Sequence, residues 1–151
     1  MNPQQHPWRS HALRYGRYSQ PGQAYLITTV TLDRRPWFAD RESGQCVACE
    51  IRSASVETLA WVVMPDHLHW LFVLGNQSLA ETVGRMKSCS AIAVNRRLGR
   101  QGTLWQKGYH DHAVRGEEDL EQLASYVVTN PLRAGLVERI EDYSLWGASW
   151  V

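Results

Sequence analysis

Two imidazoles separated by a single leucine, His67-Leu68-His69, stand inside a run from Val62 to Val73 that is otherwise apolar but for Asp66. Successive strand side chains alternate faces, so in an extended chain both rings project from one side of a sheet while Leu68 and Trp70 enter the packing on the other. So placed, the pair can grip one metal ion; two ordinary hydrogen-bonded sheet histidines are the competing reading, and spacing alone leaves both open. Farther along, Tyr126 and Asn130 are four residues apart, hence on one face of a helix. A tyrosine offers a phenolate nucleophile and an asparagine carbonyl a hard oxygen ligand. If that helix crosses the sheet face bearing the imidazoles, the chain presents two nitrogens, an amide oxygen and a phenol around one ion. Such a set suits attack on a phosphodiester, leaving a phosphotyrosine link and a free hydroxyl.

The elements that must position these residues follow from periodicity. Residues 24–32 alternate and are β-branched behind the Pro21-Gly22 turn, which predicts a strand. Residues 40–54 read as a helix. Residues 56–63 and 67–74 read as an antiparallel pair of strands joined across Met64-Pro65-Asp66. Ser78 and Glu81 make a capping box for a long helix that runs to Gly99. Residues 103–114, with Trp105, read as another strand, and a helix from Glu117 is ended by Asn130-Pro131. The order β-α-β-β-α-β plus a helix predicts an α+β, ferredoxin-like antiparallel sheet with helices on one face and a C-terminal helix carrying the tyrosine. A single domain over 1–151 is expected, with a basic arm at 1–22 and a tail at 131–151 whose Tyr143, Trp146 and Trp150 should pack back on it.

Composition narrows the function classes. With 151 residues, 44% hydrophobic and 21% charged, the chain can bury one ordinary core. No apolar stretch approaches a bilayer span and the N-terminus lacks a signal-like apolar segment, so a cytoplasmic protein away from the membrane is expected. Three cysteines argue for reduced thiols. Cys46 and Cys49 lack a second C-x-x-C and fall in a helix, where they are simply neighbours. The net charge of +1 conceals segregation: residues 1–41 hold six arginines against two aspartates, and residues 85–115 hold seven cations against Asp111 alone. Interleaved with Trp8, Tyr15, Tyr18, Trp37, Trp105 and Tyr109, these stretches suit a single-stranded nucleic acid. Arg9, Arg14, Arg17, Arg85, Lys87, Arg96, Arg97 and Lys107 are the candidate DNA contacts, a solvated helix face being the plainer alternative.

Taken together, these residues resemble a known family. Met64-Pro65-Asp66-His67-Leu68-His69 is similar to the histidine-hydrophobic-histidine motif of single-tyrosine HUH transposases. Tyr126-Val-Val-Thr-Asn130-Pro131-Leu-Arg133-Ala-Gly135-Leu-Val137 resembles the tyrosine segment of REP-associated tyrosine transposases, and Gly16-Arg17-Tyr18-Ser19, Leu104-Trp105-Gln106 and Tyr109-His110-Asp111-His112 fit the same subgroup. The resemblance implies a divalent metal held by His67, His69 and Asn130, with Tyr126 forming a 5′-phosphotyrosine on single-stranded DNA. It implies palindromic REP-like hairpins as partners, a monomer or homodimer, and a place at the bacterial nucleoid. Nitrogen and oxygen donors together with phosphate oxygens favour magnesium or manganese. Two other readings stay open: a hairpin-binding module with weak or lost cleavage, and a metal or redox protein using the histidine pair with Cys46 and Cys49. Asp111 and His112 read first as a satisfied strand pair, and Val128 departs from the polar residue frequent in the subgroup.

Overall fold

Alternation along Ala24–Val30 places Tyr25, Ile27 and Thr29 inward and makes this segment the first strand, β1, in the computed structural model, which describes residues 19–116 and 118–149. Helix α1 (Arg41–Ser53) buries Val47, Ala48 and Ile51 along one stripe. Strands β2 (Glu57–Met64) and β3 (His67–Val73) form a hairpin across Pro65 and Asp66. Helix α2 (Leu79–Leu98) opens on the expected capping box, Ser78 accepting from the Glu81 amide at 3.0 Å while Glu81 accepts from the Ser78 amide at 3.0 Å. It closes on Gly99, whose φ of 62° a side chain would strain. Strand β4 (His110–Ala113), helix α3 (Leu120–Val128), a short helical turn α4 (Asn130–Arg133) and strand β5 (Trp146–Ala148) complete the described chain.

The sheet order is β4-β1-β3-β2-β5, with every neighbouring pair antiparallel. The first four strands are the ferredoxin-like arrangement, and β5 adds an edge beside β2. One face carries Ile27, Trp61, Val63, Leu68, Trp70 and Phe72 against α1 and α2. The other carries Ala60, Val62, Met64 and Leu71 against Ala124 and Val127 of α3. Two helices thus share one face, and the tyrosine helix lies on the other. Burying Trp70, which is fully enclosed, contributes on the order of 2–3 kcal/mol.

Three boundary differences from the sequence reading bear on the site. The strand expected over 103–114 is reduced to His110–Ala113: Gly102 (φ 103°) and Gly108 (φ 80°) interrupt the extended chain, and Trp105 makes only an isolated bridge to Thr31. Lys87 on α2 fixes this irregular segment by donating to the Gln106 and Gly108 carbonyls at 2.8 and 2.7 Å. The last long helix begins at Leu120, not Glu117, because Asp119 caps it by accepting from the Glu121 and Gln122 amides. It ends at Val128, and Asn130 starts a separate turn with Pro131 near its beginning.

Beyond that turn the chain returns to the sheet. The Tyr143 hydroxyl donates to the Val63 carbonyl at 2.6 Å, and Leu145 is buried. Gly44 on α1 permits the approach, since a Cβ there would fall 2.4 Å from Leu145 Cδ1.

Candidate active site beside the histidine pair

Register fixes the imidazoles. His67 pairs with Met64 and Val30, and His69 with Val62 and Thr28, so both rings stand on the α3 face while Leu68 and Trp70 are sealed beneath α1 and α2. The ring centroids are 4.8 Å apart and nearly perpendicular. The expectation that the pair shares one face holds.

Each ring is oriented by a neighbour. The Asp66 carboxylate lies 2.7 Å from His67 Nδ1 and also accepts from Arg34 Nε at 3.1 Å. Partial burial works to raise the Asp66 carboxyl, but the hydrogen bonds from His67 and Arg34 outweigh it and hold the group below the usual carboxylate range. A carboxylate can only accept, so Nδ1 of His67 carries a proton toward Asp66 and Nε2 is the ring nitrogen left for a ligand. His69 Nδ1 lies 2.9 Å from Thr28 Oγ1, whose hydroxyl can accept as well, again leaving Nε2 for a ligand. Burial foremost, then repulsion from His67 and Arg133, pushes His69 down to about 4. It is therefore neutral near pH 7, the form that binds a metal.

The helix end supplies the remaining groups. Val127 is buried with Val62 and Met64, the β2 partners of His69 and His67, which sets the C-terminal end of α3 over the histidine end of the hairpin. Tyr126 is 53% exposed, so its phenol is accessible. Asn130 donates its amide nitrogen to the Tyr126 and Val127 carbonyls at 3.4 and 3.3 Å, leaving Oδ1 as the atom able to serve a cation. Arg133 folds back over this segment. Its guanidinium lies 4.1 Å from the Tyr126 ring centroid and donates to the Tyr126 carbonyl at 2.6 Å and to Thr129 Oγ1 at 2.5 Å.

Whether these residues fit a divalent ion is a question of donor chemistry. Among the described residues no group of three or more His, Cys, Asp or Glu side chains could hold a metal. A site here needs an amide as its third protein donor, and Asn130 is the candidate. Two imidazoles oriented through Nδ1 by Asp66 and Thr28, with an amide at the adjoining helix end, suit an ion that takes nitrogen and oxygen.

Other candidates are distributed elsewhere. Arg9, Arg14 and Arg17 lie outside the described residues. Arg85, Lys87, Arg96 and Arg97 belong to α2, across the sheet from the imidazoles, and Lys107 lies in the loop after it. Lys87 is engaged by loop carbonyls, and Arg97 by Asp40 at 3.0 Å and Glu42 at 3.4 Å. Asp111 and His112 point to opposite faces: Asp111, aligned with Ile27, is 2% exposed, whereas His112 meets the Glu118 carboxylate at 3.0 Å. Cys46 and Cys49 are free thiols on α1.

Sequence reasoning assigned no role to Asp66, Thr28 or Arg133. For Asp66 the signal was present, a carboxylate immediately before the first histidine. Thr28 is brought to His69 only by strand pairing, and Arg133 meets Tyr126 from the separate turn that follows α3.

Comparison with known proteins bears on the family and the fold. The family described as "Transposase IS200 like" matches residues 20–130. A REP-associated tyrosine transposase of Escherichia coli (strain K12) is 27% identical over 134 residues, spanning 85% of this chain and 78% of its own. A Haemophilus influenzae relative is likewise 27% identical over 145 residues, spanning 85% of this chain and 81% of its own. Among solved structures, a REP-associated tyrosine transposase bound to a REP hairpin superposes with a TM-score of 0.68 at 23% identity, over 86% of this chain and 79% of that one. With its fold, its paired imidazoles and a family match across most of its length, the chain belongs to the IS200-like transposases.

Proposed function

We propose that the chain is a metal-dependent endonuclease and strand transferase that acts on single-stranded DNA at palindromic hairpins through a 5′-phosphotyrosine intermediate. The observation that carries this reading is the packing of the Tyr126–Asn130 segment over the hairpin that bears His67 and His69, both rings held through Nδ1.

His67, His69 and Asn130 would hold a divalent cation, magnesium or manganese. When bound, the cation withdraws charge from the non-bridging phosphate oxygens and fixes the phosphate in place. Asp66 and Thr28 keep the two imidazoles in position, and neutral His69 takes no proton from the reaction at ordinary pH. The Tyr126 oxygen forms a bond to phosphorus as the bond to the 3′ oxygen breaks in line. The phenol proton leaves to solvent and the departing oxygen gains one, giving a 3′ hydroxyl and a strand joined through its 5′ phosphate to Tyr126. Attack of another 3′ hydroxyl on that link completes transfer and restores the phenol.

The hairpin partner is supported by the structural neighbour bound to a REP hairpin and by the named E. coli relative. No helix among the described residues is long and apolar enough to cross a membrane. The test is incubation of a labelled hairpin pool with flanking single strands in manganese, followed by denaturing electrophoresis. A covalent adduct present in the unmutated protein and absent in Tyr126→Phe is expected. Hairpin binding without adduct in any metal would reduce the protein to a recognition module.

A further inference from the structure

We propose that Arg133 is the group that receives the scissile phosphate and that it couples DNA binding to cation binding; this rests on the function proposed above. Four observations converge on it. The Arg133 guanidinium carbon lies over the ring of Tyr126, the proposed nucleophile, 4.1 Å from its centroid. Its fork of five N–H donors is only partly spent, on the Tyr126 carbonyl and the Thr129 hydroxyl. Among the described residues no carboxylate pairs with it, whereas Arg34 and Arg139 each meet one and Arg97 meets two. Its turn is held in shape by Pro131 near its start and by Gly135, whose φ of 74° a side chain would strain.

An exposed guanidinium without an acid, next to a nucleophile, is a receptor for a phosphate oxygen. The position carries a further consequence. Arg133 lies over Tyr126 at the end of α3 that packs on the histidine end of the β2–β3 hairpin, so in the free protein its charge also opposes a divalent cation at that end of the sheet. A phosphodiester seated between guanidinium and cation neutralises the repulsion and is attracted by both. Strand and cation therefore bind cooperatively, and each raises the affinity for the other by the same factor. In the free protein the site holds its metal weakly; the substrate completes it.

The test uses the Tyr126→Phe protein, which keeps an aromatic ring under Arg133 and forms no covalent link. Manganese is titrated calorimetrically, with and without a hairpin-forming oligonucleotide pool carrying randomised single-stranded flanks. The strand should tighten manganese binding by about tenfold. Adding Arg133→Gln should leave manganese binding to the free protein equal or tighter and cut the strand-induced gain to within about twofold of none. Arg133→Lys, which keeps the charge, should retain most of the gain. It also serves as the deciding variant if melting shows Arg133→Gln unfolded, because loss of the gain in a folded Arg133→Lys protein would overturn charge-based coupling. A full gain in folded Arg133→Gln would overturn the inference outright, as would weaker manganese binding by that variant alone. If the Tyr126→Phe parent binds both ligands without coupling, only this inference falls; if it binds neither, the functional reading falls with it.

Discussion

Asp66 holds His67 through a 2.7 Å contact to Nδ1, and the same carboxylate accepts from Arg34 across the loop that follows β1. The arrangement turns a hairpin residue into the orienter of a proposed metal ligand, a role in which carboxylates behind histidines commonly control affinity. Asp66→Ala should weaken manganese binding by about 10-fold or more, with a small change in stability because the Arg34 pair is exposed. Isothermal titration decides it. Unchanged affinity would mean that the ring needs no orienter.

His69 imposes a pH dependence on folding. Its pKa is about 4 in the folded chain, against an ordinary 6.5, so the unfolded state takes up the proton first. The associated stability is complete above pH 6.5 and is lost as pH falls from there toward 4. Its ceiling is about 3 kcal/mol. Urea unfolding of the metal-free protein at pH 7, 5.5 and 4.5 measures the loss. His69→Gln, which cannot titrate, should show a shallower decline over this window, and an identical decline would assign the acid sensitivity to other groups.

Asp119 caps the helix that presents Tyr126, accepting from two otherwise unpartnered amides at 2.9 and 3.3 Å. Asp119→Ala should cost about 1 kcal/mol. Because the cap lies at the far end of α3 from Tyr126, hydrogen exchange should quicken in the first turn of the helix and leave the amides near Val127 protected. Uniform acceleration along α3 would show that the helix moves as one body.

The histidine face was legible because strand period is strict: Pro65-Asp66 sets the phase, and alternation then sends His67 and His69 one way and Leu68 and Trp70 the other. The ends of α2 were equally legible, since Ser78, Glu81 and Gly99 are local signals. The 103–114 segment was not. Trp105 and Tyr109 favour a strand, but the conformation is decided by two left-handed glycines and by Lys87 reaching across from another element. Charge clustering along the chain likewise could not show which face a cation occupies, and α2 carries its cations on the side away from the imidazoles. Arg133 was visible as a residue of the tyrosine segment, yet it meets Tyr126 from a separate turn after α3, whose geometry helical periodicity does not specify.

Accessibility sets Tyr126 apart from the other described tyrosines. Tyr25 is 4% exposed and Tyr109 8%, both in the core on the side of α1 and α2, away from the imidazoles. Tyr143 is half-buried, donates to the Val63 carbonyl, and has its phenol pushed up by burial to about 12, which makes it a poor source of phenolate. Tyr126, at 53% exposure on the histidine side, is the accessible phenol among the described residues. Tyr143→Phe should therefore leave adduct formation intact while costing about 1 kcal/mol for the lost hydrogen bond, read as a lower urea midpoint. Tyr109→Phe should also leave the adduct in place, so an adduct that survives Tyr126→Phe and vanishes in Tyr109→Phe would require the 103–110 segment to leave the core before reaction.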